Sequence, residues 1–194
     1  MPDSPEIRDP TPAGLDQALH ELLDEKFNQT PDDLAFRYLP DGQDTEQLLT
    51  YRELAIRART IAAGLIREET TGQPVLLIHP PGLGFIEGLF GCFYAGAIAV
   101  PAYPPRGARH RRRLESILSN CGAKFALAPS SQLPISGVAI LSSDVFLESE
   151  SPMEGNLSHS SLPCLLQYTS GSTADPKGVM ITHRNFRSHF SSLE

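Results

Sequence analysis

The sequence contains no tryptophan, few aromatic residues and little positive charge. Of its 194 residues, 7% are aromatic and 20% are charged, and the formal net charge is −7. This acidic balance lacks the positive field that general nucleic-acid binding or an anionic membrane surface requires, so we expect neither partner. A locally positive pocket for a nucleotide is still compatible with it. The hydrophobic content of 40% is ordinary for a globular protein with a core.

Long apolar runs and paired cysteines are also absent. The longest apolar stretch, residues 89–103, is interrupted by two glycines and a proline and is too short to span a bilayer. The N-terminus is acidic and proline-rich, so we do not expect a signal peptide and predict a soluble, cytoplasmic protein. The three cysteines form no C-x-x-C pair and no Cys/His cluster, which predicts buried apolar side chains and no metal site. They are Cys92, Cys121 and Cys164.

Short apolar strands alternate with helices along most of the chain. The predicted helices are residues 15–27, a helix capped by Thr50 that runs to Ile66, residues 85–95, residues 107–120 and a last helix from Thr182 to Leu193. The predicted strands are 34–39, 48–50, 75–78, 98–100, 125–127, 138–141, 165–168 and 179–181. This alternation is typical of an α/β fold with a mostly parallel sheet flanked by helices, in which ligands bind at the carboxyl ends of strands. Residues 142–163 are polar and serine-rich and predict a surface loop.

One segment between two predicted strands is suited to anion binding. Residues 168–179 read Y-T-S-G-S-T-A-D-P-K-G-V. Five consecutive small residues leave backbone N–H groups and hydroxyls free to surround an anion; they are Thr169, Ser170, Gly171, Ser172 and Thr173. Gly171 and Gly178 permit backbone angles that other residues avoid, and Lys177 adds a charge suited to phosphate oxygens. We therefore predict a loop that holds a polyphosphate, with a ligand-free surface turn as the alternative.

Three other motifs fail. A Walker P-loop counted from Gly171 would need Gly at Pro176 and Ser or Thr at Gly178. The turn at 82–84 (G-L-G) follows a strand and precedes a helix, but a dinucleotide-binding motif would need Gly or Ala at Glu87. These glycines are instead expected to serve a tight turn from strand to helix. No G-x-S-x-G sequence supplies the nucleophile of an α/β-hydrolase.

The segment at 168–179 resembles the phosphate-binding signature of the adenylate-forming superfamily, which includes acyl-CoA synthetases, luciferases and adenylation domains. The family pattern is roughly T-S-G-[ST]-T-G-x-P-K-G-V. The matching positions are Thr169, Ser170, Gly171, Ser172, Thr173, Pro176, Lys177 and Gly178. Ala174 departs from the pattern, since most of the superfamily has Gly there. Further similarity is to the fatty-acyl-AMP ligases: L-A-F-R-Y-L-P-D-G at 34–42, L-T-Y-R-E-L at 49–54 and V-P-A-Y-P-P-R at 100–106.

The resemblance implies that a fatty acid and Mg-ATP give an acyl-adenylate and pyrophosphate, with ATP and Mg²⁺ as the cofactors. The acyl group would then pass to the phosphopantetheine thiol of an acyl carrier protein. The residues implied to contact the ATP phosphates are Thr169, Ser170, Gly171, Ser172, Thr173, Lys177 and Gly178. No catalytic residue and no metal ligand of this chain is implied. An acyl-CoA synthetase or an adenylation domain of the same superfamily is the alternative activity.

The resemblance covers nearly all of residues 15–194 and implies the N-terminal part of the family's large domain. We expect a flexible lead-in at residues 1–13 and a partial AMP-binding domain at residues 14–194. That domain would end before the adenine site and the C-terminal domain, which carries the catalytic lysine in relatives. Such a portion is expected to be inactive alone and to need the missing remainder of the ligase as a partner. The alternative is a non-catalytic remnant that keeps a phosphate-binding module.

Three further features leave alternatives open. The run R-G-A-R-H-R-R-R at 106–113 predicts a solvated helix face carrying Arg109, Arg112 and Arg113, or a docking surface for an acidic carrier protein. His183 is expected either as a polar residue at a helix start or near the acyl channel. Tyr103, in a proline-rich turn, is expected to pack against the protein.

Overall fold

The computed structural model describes residues 17–130, 135–155, 162–169 and 176–190. Its helices are α1 (Leu19–Gln29), α2 (Tyr51–Arg67), α3 (Leu83–Ala95), α4 (Ala108–Cys121), α5 (Ser143–Ser149) and α6 (His183–Phe190). Its strands are β1 (Leu34–Tyr38), β2 (Gln47–Thr50), β3 (Pro74–Leu77), β4 (Ile98–Pro101), β5 (Phe125–Ala128), β6 (Ala139–Ser142), β7 (Pro163–Tyr168) and β8 (Gly178–Thr182). None of the helices in these ranges is both long and apolar enough to cross a membrane. The predicted lead-in at residues 1–13 lies outside the described residues.

Six strands form the central sheet in the order β6-β5-β3-β4-β7-β8, and β1 and β2 form a separate hairpin. The strands from β3 to β7 run parallel to their neighbours, whereas β8 is antiparallel to β7. A parallel connection needs a crossover of about a dozen residues or more, so the short segment between β7 and β8 returns the chain in the opposite direction. The predicted α/β fold with a mostly parallel sheet and flanking helices is confirmed.

Alternate side chains of the central strands enter two separate cores. Val75 and Leu77 of β3 pack with residues of α2 and α3, while Leu76 and Ile78 pack with residues of α4 on the other face. Successive side chains of a strand point to opposite faces, so a strand that is covered on both sides is an uninterrupted apolar run. The run 75–78 fits this rule, because all four side chains are fully buried.

Helix α2 begins at the predicted cap. The backbone N–H of Glu53 donates to Thr50 Oγ1 at 3.2 Å, and the backbone N–H of Thr50 donates to the Glu53 carboxylate at 2.8 Å. These two bonds satisfy N–H groups that would otherwise have no partner at the helix start. Further along, α2 packs closely on α3 because Gly91 has no side chain. A Cβ at Gly91 would lie 2.6 Å from Ile61.

Two predictions of local structure are wrong. Residues 142–163 are not only a surface loop, since they contain α5, whose Phe146 is 3% exposed. This ring covers Gly64 of α2, where a Cβ would come within 2.5 Å of it. A helix of seven residues with so few buried side chains shows no helical period in the sequence. Tyr103, which was expected to pack, is 80% exposed because the turn after β4 carries it away from both cores.

Candidate functional site

The predicted phosphate loop connects two paired strands at the carboxyl end of β7. Tyr168 pairs with Gly178 across the β7–β8 ladder, and the backbone N–H of Thr169 donates to the carbonyl of Lys177 at 3.3 Å. The side chains of Thr169 and Lys177 are exposed. The structure therefore brings the two ends of the loop together. The predicted phosphate contacts Ser170, Gly171, Ser172 and Thr173 lie outside the described residues.

The base of this loop is attached to helix α4. The hydroxyl of Tyr168 donates to Asn120 Oδ1 at 2.6 Å, and Nη2 of Arg113 donates to the carbonyl of Thr169 at 3.4 Å. Gly178 lies beneath the Tyr168 ring, since a Cβ there would be 3.0 Å from both Tyr168 Cζ and Leu166 Cδ1. Gly178 does not have a positive φ, so the predicted need for unusual backbone angles at this position is wrong. Close packing explains the glycine instead.

A cavity of about 1120 Å³ opens at the same edge of the sheet. It lies beyond the carboxyl ends of β3, β4 and β7, and Pro101 and Tyr168 from the last two of these strands line it. The chain leaves β3 and β4 through helices on opposite faces of the sheet, and β5 returns to the other side of β3 from β4. Parallel sheets have their ligand crevice at such a switch point. A cavity therefore lies where a ligand site was expected, at the carboxyl ends of the strands.

The wall of the cavity differs between its two helices. Helix α3 contributes apolar side chains, and the start of the α4 segment contributes cations. The apolar side chains are Leu83, Phe85, Ile86 and Leu89, and the cationic or titratable ones are Arg106, His110 and Arg113. Gly82 directly precedes α3, and its φ of 151° favours glycine, so the predicted role in a strand-to-helix turn is confirmed for Gly82. It is wrong for Gly84, which lies within α3 and has no positive φ.

A smaller, polar cavity of about 380 Å³ adjoins His79, which lines both cavities. The His79 Nε2 lies 3.1 Å from Ser143 Oγ, and the Ser143 hydroxyl donates to the carbonyl of Ala128. Burial lowers the pKa of His79 to about 4, so the ring is neutral at pH 7. Arg57 and Glu87 line the same cavity, and Arg57 Nε lies 2.8 Å from the buried carboxylate of Glu87. Sequence reasoning missed this cluster, because residues so far apart in the chain show no common motif.

His183 begins α6, as one of its two predicted positions requires, but its ring is fully buried and does not line the large cavity. The ring packs edge-on against Phe93 at 4.9 Å between centroids and lies 5.4 Å from the His20 ring. The backbone N–H of Leu19 donates to His183 Nδ1 at 3.4 Å. Burial first, and the neighbouring His20 second, lower the pKa of His183 to about 4. His183 therefore joins α6 to α1 and α3.

The cysteines and the arginines of α4 are the remaining residues that the sequence analysis considered. Cys92 and Cys164 are buried, and burial raises the pKa of each thiol to about 12, which leaves no reactive thiolate at neutral pH. Cys121 is only partly buried. Arg109 and Arg112 are exposed, as predicted for a solvated helix face. Arg113 is exposed as well, but it lines the cavity.

Comparison with known proteins identifies the family. The model of the AMP-binding enzymes matches residues 23–194. The chain belongs to this family. The match includes residues 168–179, and the predicted membership of the adenylate-forming superfamily is thus confirmed.

The relatives of this AMP-binding chain include fatty-acid ligases. The medium-chain-fatty-acid–[acyl-carrier-protein] ligase JamA of Moorena producens is 37% identical over 177 residues, which cover 82% of this chain and 30% of JamA. The long-chain-fatty-acid–AMP ligase FadD23 of Mycobacterium tuberculosis is 30% identical over 91% of this chain and 33% of its own length. The chain thus spans about a third of the length of these curated relatives.

Solved structures support the fold. The fatty acid AMP ligase from Legionella pneumophila superposes with a TM-score of 0.79 at 29% identity, covering 91% of this AMP-binding chain and 32% of the other. A second structure, the fatty acyl-adenylate ligase from L. pneumophila in complex with acyl adenylate and pyrophosphate, gives a TM-score of 0.78 with the same identity and coverage.

Proposed function

We propose that this chain supplies the phosphate-binding loop and part of the acyl-binding cavity of an ATP-dependent, AMP-forming fatty-acid ligase. The observation that carries the proposal is the position of the two ends of the 169–178 segment. They are held together where β7 ends and β8 begins, at the carboxyl ends of the parallel strands and beside a largely apolar cavity. The fatty-acid ligases among its relatives support the substrate class.

In the proposed reaction a carboxylate oxygen of the fatty acid attacks the α-phosphorus of ATP. The bond from the α-phosphorus to the oxygen that bridges to the β-phosphate breaks, pyrophosphate leaves, and no proton is transferred. Negative charge grows on the leaving pyrophosphate, so donors fixed around the β- and γ-phosphates stabilise the transition state. We assign this role to the loop, with Lys177 as its charged member. The other proposed contacts are Thr169, Ser170, Gly171, Ser172, Thr173 and Gly178.

Mg²⁺ would enter with ATP, since phosphate oxygens are among its preferred ligands. Within the described ranges, no group of three or more His, Cys, Asp or Glu side chains lies close enough together to hold a metal ion. We therefore assign no ligand of this chain to Mg²⁺ and derive no step through it.

The proposal also concerns the division of the site. We propose that residues 14–194, after a lead-in at 1–13, are a partial AMP-binding domain located in the cytoplasm. The remaining groups of the site would come from the part that relatives carry outside the matched third. An acyl carrier protein is the proposed acceptor of the acyl group.

A chimera tests this function. The matching N-terminal third of the L. pneumophila fatty acid AMP ligase is replaced by this chain, and the fold of the product is checked by its thermal transition. Fatty-acid-dependent incorporation of labelled pyrophosphate into ATP is then measured. We expect exchange that requires both the chimera and the fatty acid. A folded chimera without exchange, beside an active parent ligase, would contradict the proposal.

A further inference from the structure

Two arginines and a histidine at and just before the start of α4 line the large cavity. Arg106 precedes the helix, whereas His110 and Arg113 lie within it three positions apart, a spacing that places side chains on the same face of a helix. Leu114 and Ile117 continue this face into the core and also line the cavity. The arginines at 109, 111 and 112 do not line it. The five arginines of residues 106–113 thus divide into two that line the cavity and three that do not.

The described part of the cavity wall supplies no carboxylate that would neutralise this positive charge. Among the described residues that line the cavity, none is Asp or Glu. The other lining arginine, Arg37, is paired with Glu46 at 3.1 Å. Neither Arg106 nor Arg113 forms an ion pair with another described residue. This local charge contrasts with the net charge of −7 for the chain, so it attracts an anion where the rest of the surface repels one.

Arg113 and His110 are both held by hydrogen bonds to the backbone, and Arg113 contacts the phosphate loop. Nη2 of Arg113 donates to the carbonyl of Thr169, the first loop residue, at 3.4 Å. The imidazole of His110 is also oriented, because its Nδ1 accepts the backbone N–H of Arg106 at 3.3 Å. A neutral ring then carries its proton on Nε2 and presents a donor. The apolar wall formed by α3 lies across the cavity from these groups, so the cavity as a whole is amphipathic.

We propose that Arg106 and Arg113 bind the carboxylate of the fatty acid, with His110 as a further donor, while the alkyl chain lies against α3. The identity of the ligand rests on the function proposed above. The planar guanidinium matches the two oxygens of a carboxylate, and apolar walls weaken the competition from water. Binding there brings the carboxylate to the side of the cavity from which it must reach the α-phosphate. These are binding and positioning residues, and the site requires no ATP to form.

The test measures decanoate binding to the 194-residue chain by calorimetry, without nucleotide. Arg106→Ala combined with Arg113→Ala should weaken binding roughly tenfold, as expected for the loss of charge-assisted hydrogen bonds. Arg109→Ala combined with Arg112→Ala is the matched control. It removes the same charge from the same segment, 106–113, but outside the cavity, and at physiological salt we expect a change of less than about twofold. The thermal transition of each variant verifies folding, and the corresponding Gln pair replaces the Ala pair if that variant does not fold.

The uncharged analogue 1-decanol separates recognition of the carboxylate from hydrophobic binding of the alkyl chain. We expect decanol to bind more weakly than decanoate, and its affinity to be unchanged by the Arg106→Ala and Arg113→Ala substitutions. Equal affinity of decanol and decanoate, or equal weakening by both pairs of substitutions, would overturn the inference.

The outcome is independent of the proposed reaction. In an exchange-active chimera, the cavity-facing pair should raise the KM for fatty acid more than it lowers kcat. An unchanged KM would overturn the carboxylate site and leave the ligase function standing. Specific decanoate binding by a chain whose chimera makes no acyl-adenylate would overturn the function alone.

Discussion

At the residue scale, the loop depends on the absence of a side chain at Gly178. A Cβ there would lie 3.0 Å from the Tyr168 ring, and the hydrogen bond from the Tyr168 hydroxyl to Asn120 restrains this ring from moving away. We expect Gly178→Ala to destabilise the protein by about 1–3 kcal/mol, the usual cost of forcing extra volume into a packed site. Urea denaturation measures the change in the free energy of unfolding.

Gly84→Ala is the control for this substitution. Its Cβ would lie 3.6 Å from His79, an ordinary contact, so we expect no loss of stability. Equal destabilisation by the two substitutions would show that close packing under Tyr168 does not explain Gly178.

The buried ring of His183 predicts that stability falls in mild acid. Its pKa of about 4 in the folded protein lies below the ordinary 6.5, so the unfolded chain takes up the proton first. The contribution of His183 to stability is therefore fully present well above pH 6.5 and is lost as the pH falls from 6.5 to 4. Linkage gives a loss of about 2 kcal/mol at pH 5 from this group.

Urea denaturation at pH 7 and pH 5 checks this prediction in His183→Asn. The variant is less stable at both values because packing on Phe93 is lost, but its decrease between them should be smaller than that of the original chain. His189→Gln, an exposed position on the same helix, is the control. An unchanged pH dependence in His183→Asn would contradict the assignment.

At the scale of elements, α5 contributes to the core through Phe146. This side chain is 3% exposed and covers Gly64 of α2, whereas its neighbour Val145 is 52% exposed. Phe146→Ala should cost about 3–5 kcal/mol, as for other buried phenylalanines, and Val145→Ala less than about 0.5 kcal/mol. Denaturant midpoints of the two variants make the comparison. A cost below about 1 kcal/mol for Phe146→Ala would mean that α5 is not an integral part of the fold.

Elements with a strong local pattern could be predicted from the sequence. The continuous apolar run at 75–78 and the cap formed by Thr50 and Glu53 each depend on neighbouring residues and are found as predicted. Helix α5 could not be predicted, because its stability comes from contact with α2. The five arginines between 106 and 113 are visible in the sequence, but assigning two of them to the cavity required the sheet topology and the position of α4.

At the scale of the whole molecule, the chain combines a phosphate-loop sequence with a cavity at one edge of a parallel sheet. The prediction that this loop binds phosphate comes from its resemblance to the adenylate-forming signature, and the match to the AMP-binding family supports that prediction. The polar cluster of His79, Ser143 and Glu87 was not predictable, since only folding brings β3, α3 and α5 together. The central proposal is therefore that the 169–178 loop holds the phosphates of ATP during acyl activation.

The most direct test of that claim compares two lysines in the chimera. Lys177→Ala removes the charge at the end of the loop, and Lys124→Ala removes an exposed charge at the amino end of β5, on the opposite edge of the sheet. Fatty-acid-dependent exchange of labelled pyrophosphate into ATP is the measurement. We expect exchange to fall about tenfold or more in Lys177→Ala, as for other groups that stabilise developing charge, and to be nearly unchanged in Lys124→Ala. Equal exchange by the two variants would contradict the proposed role of the loop.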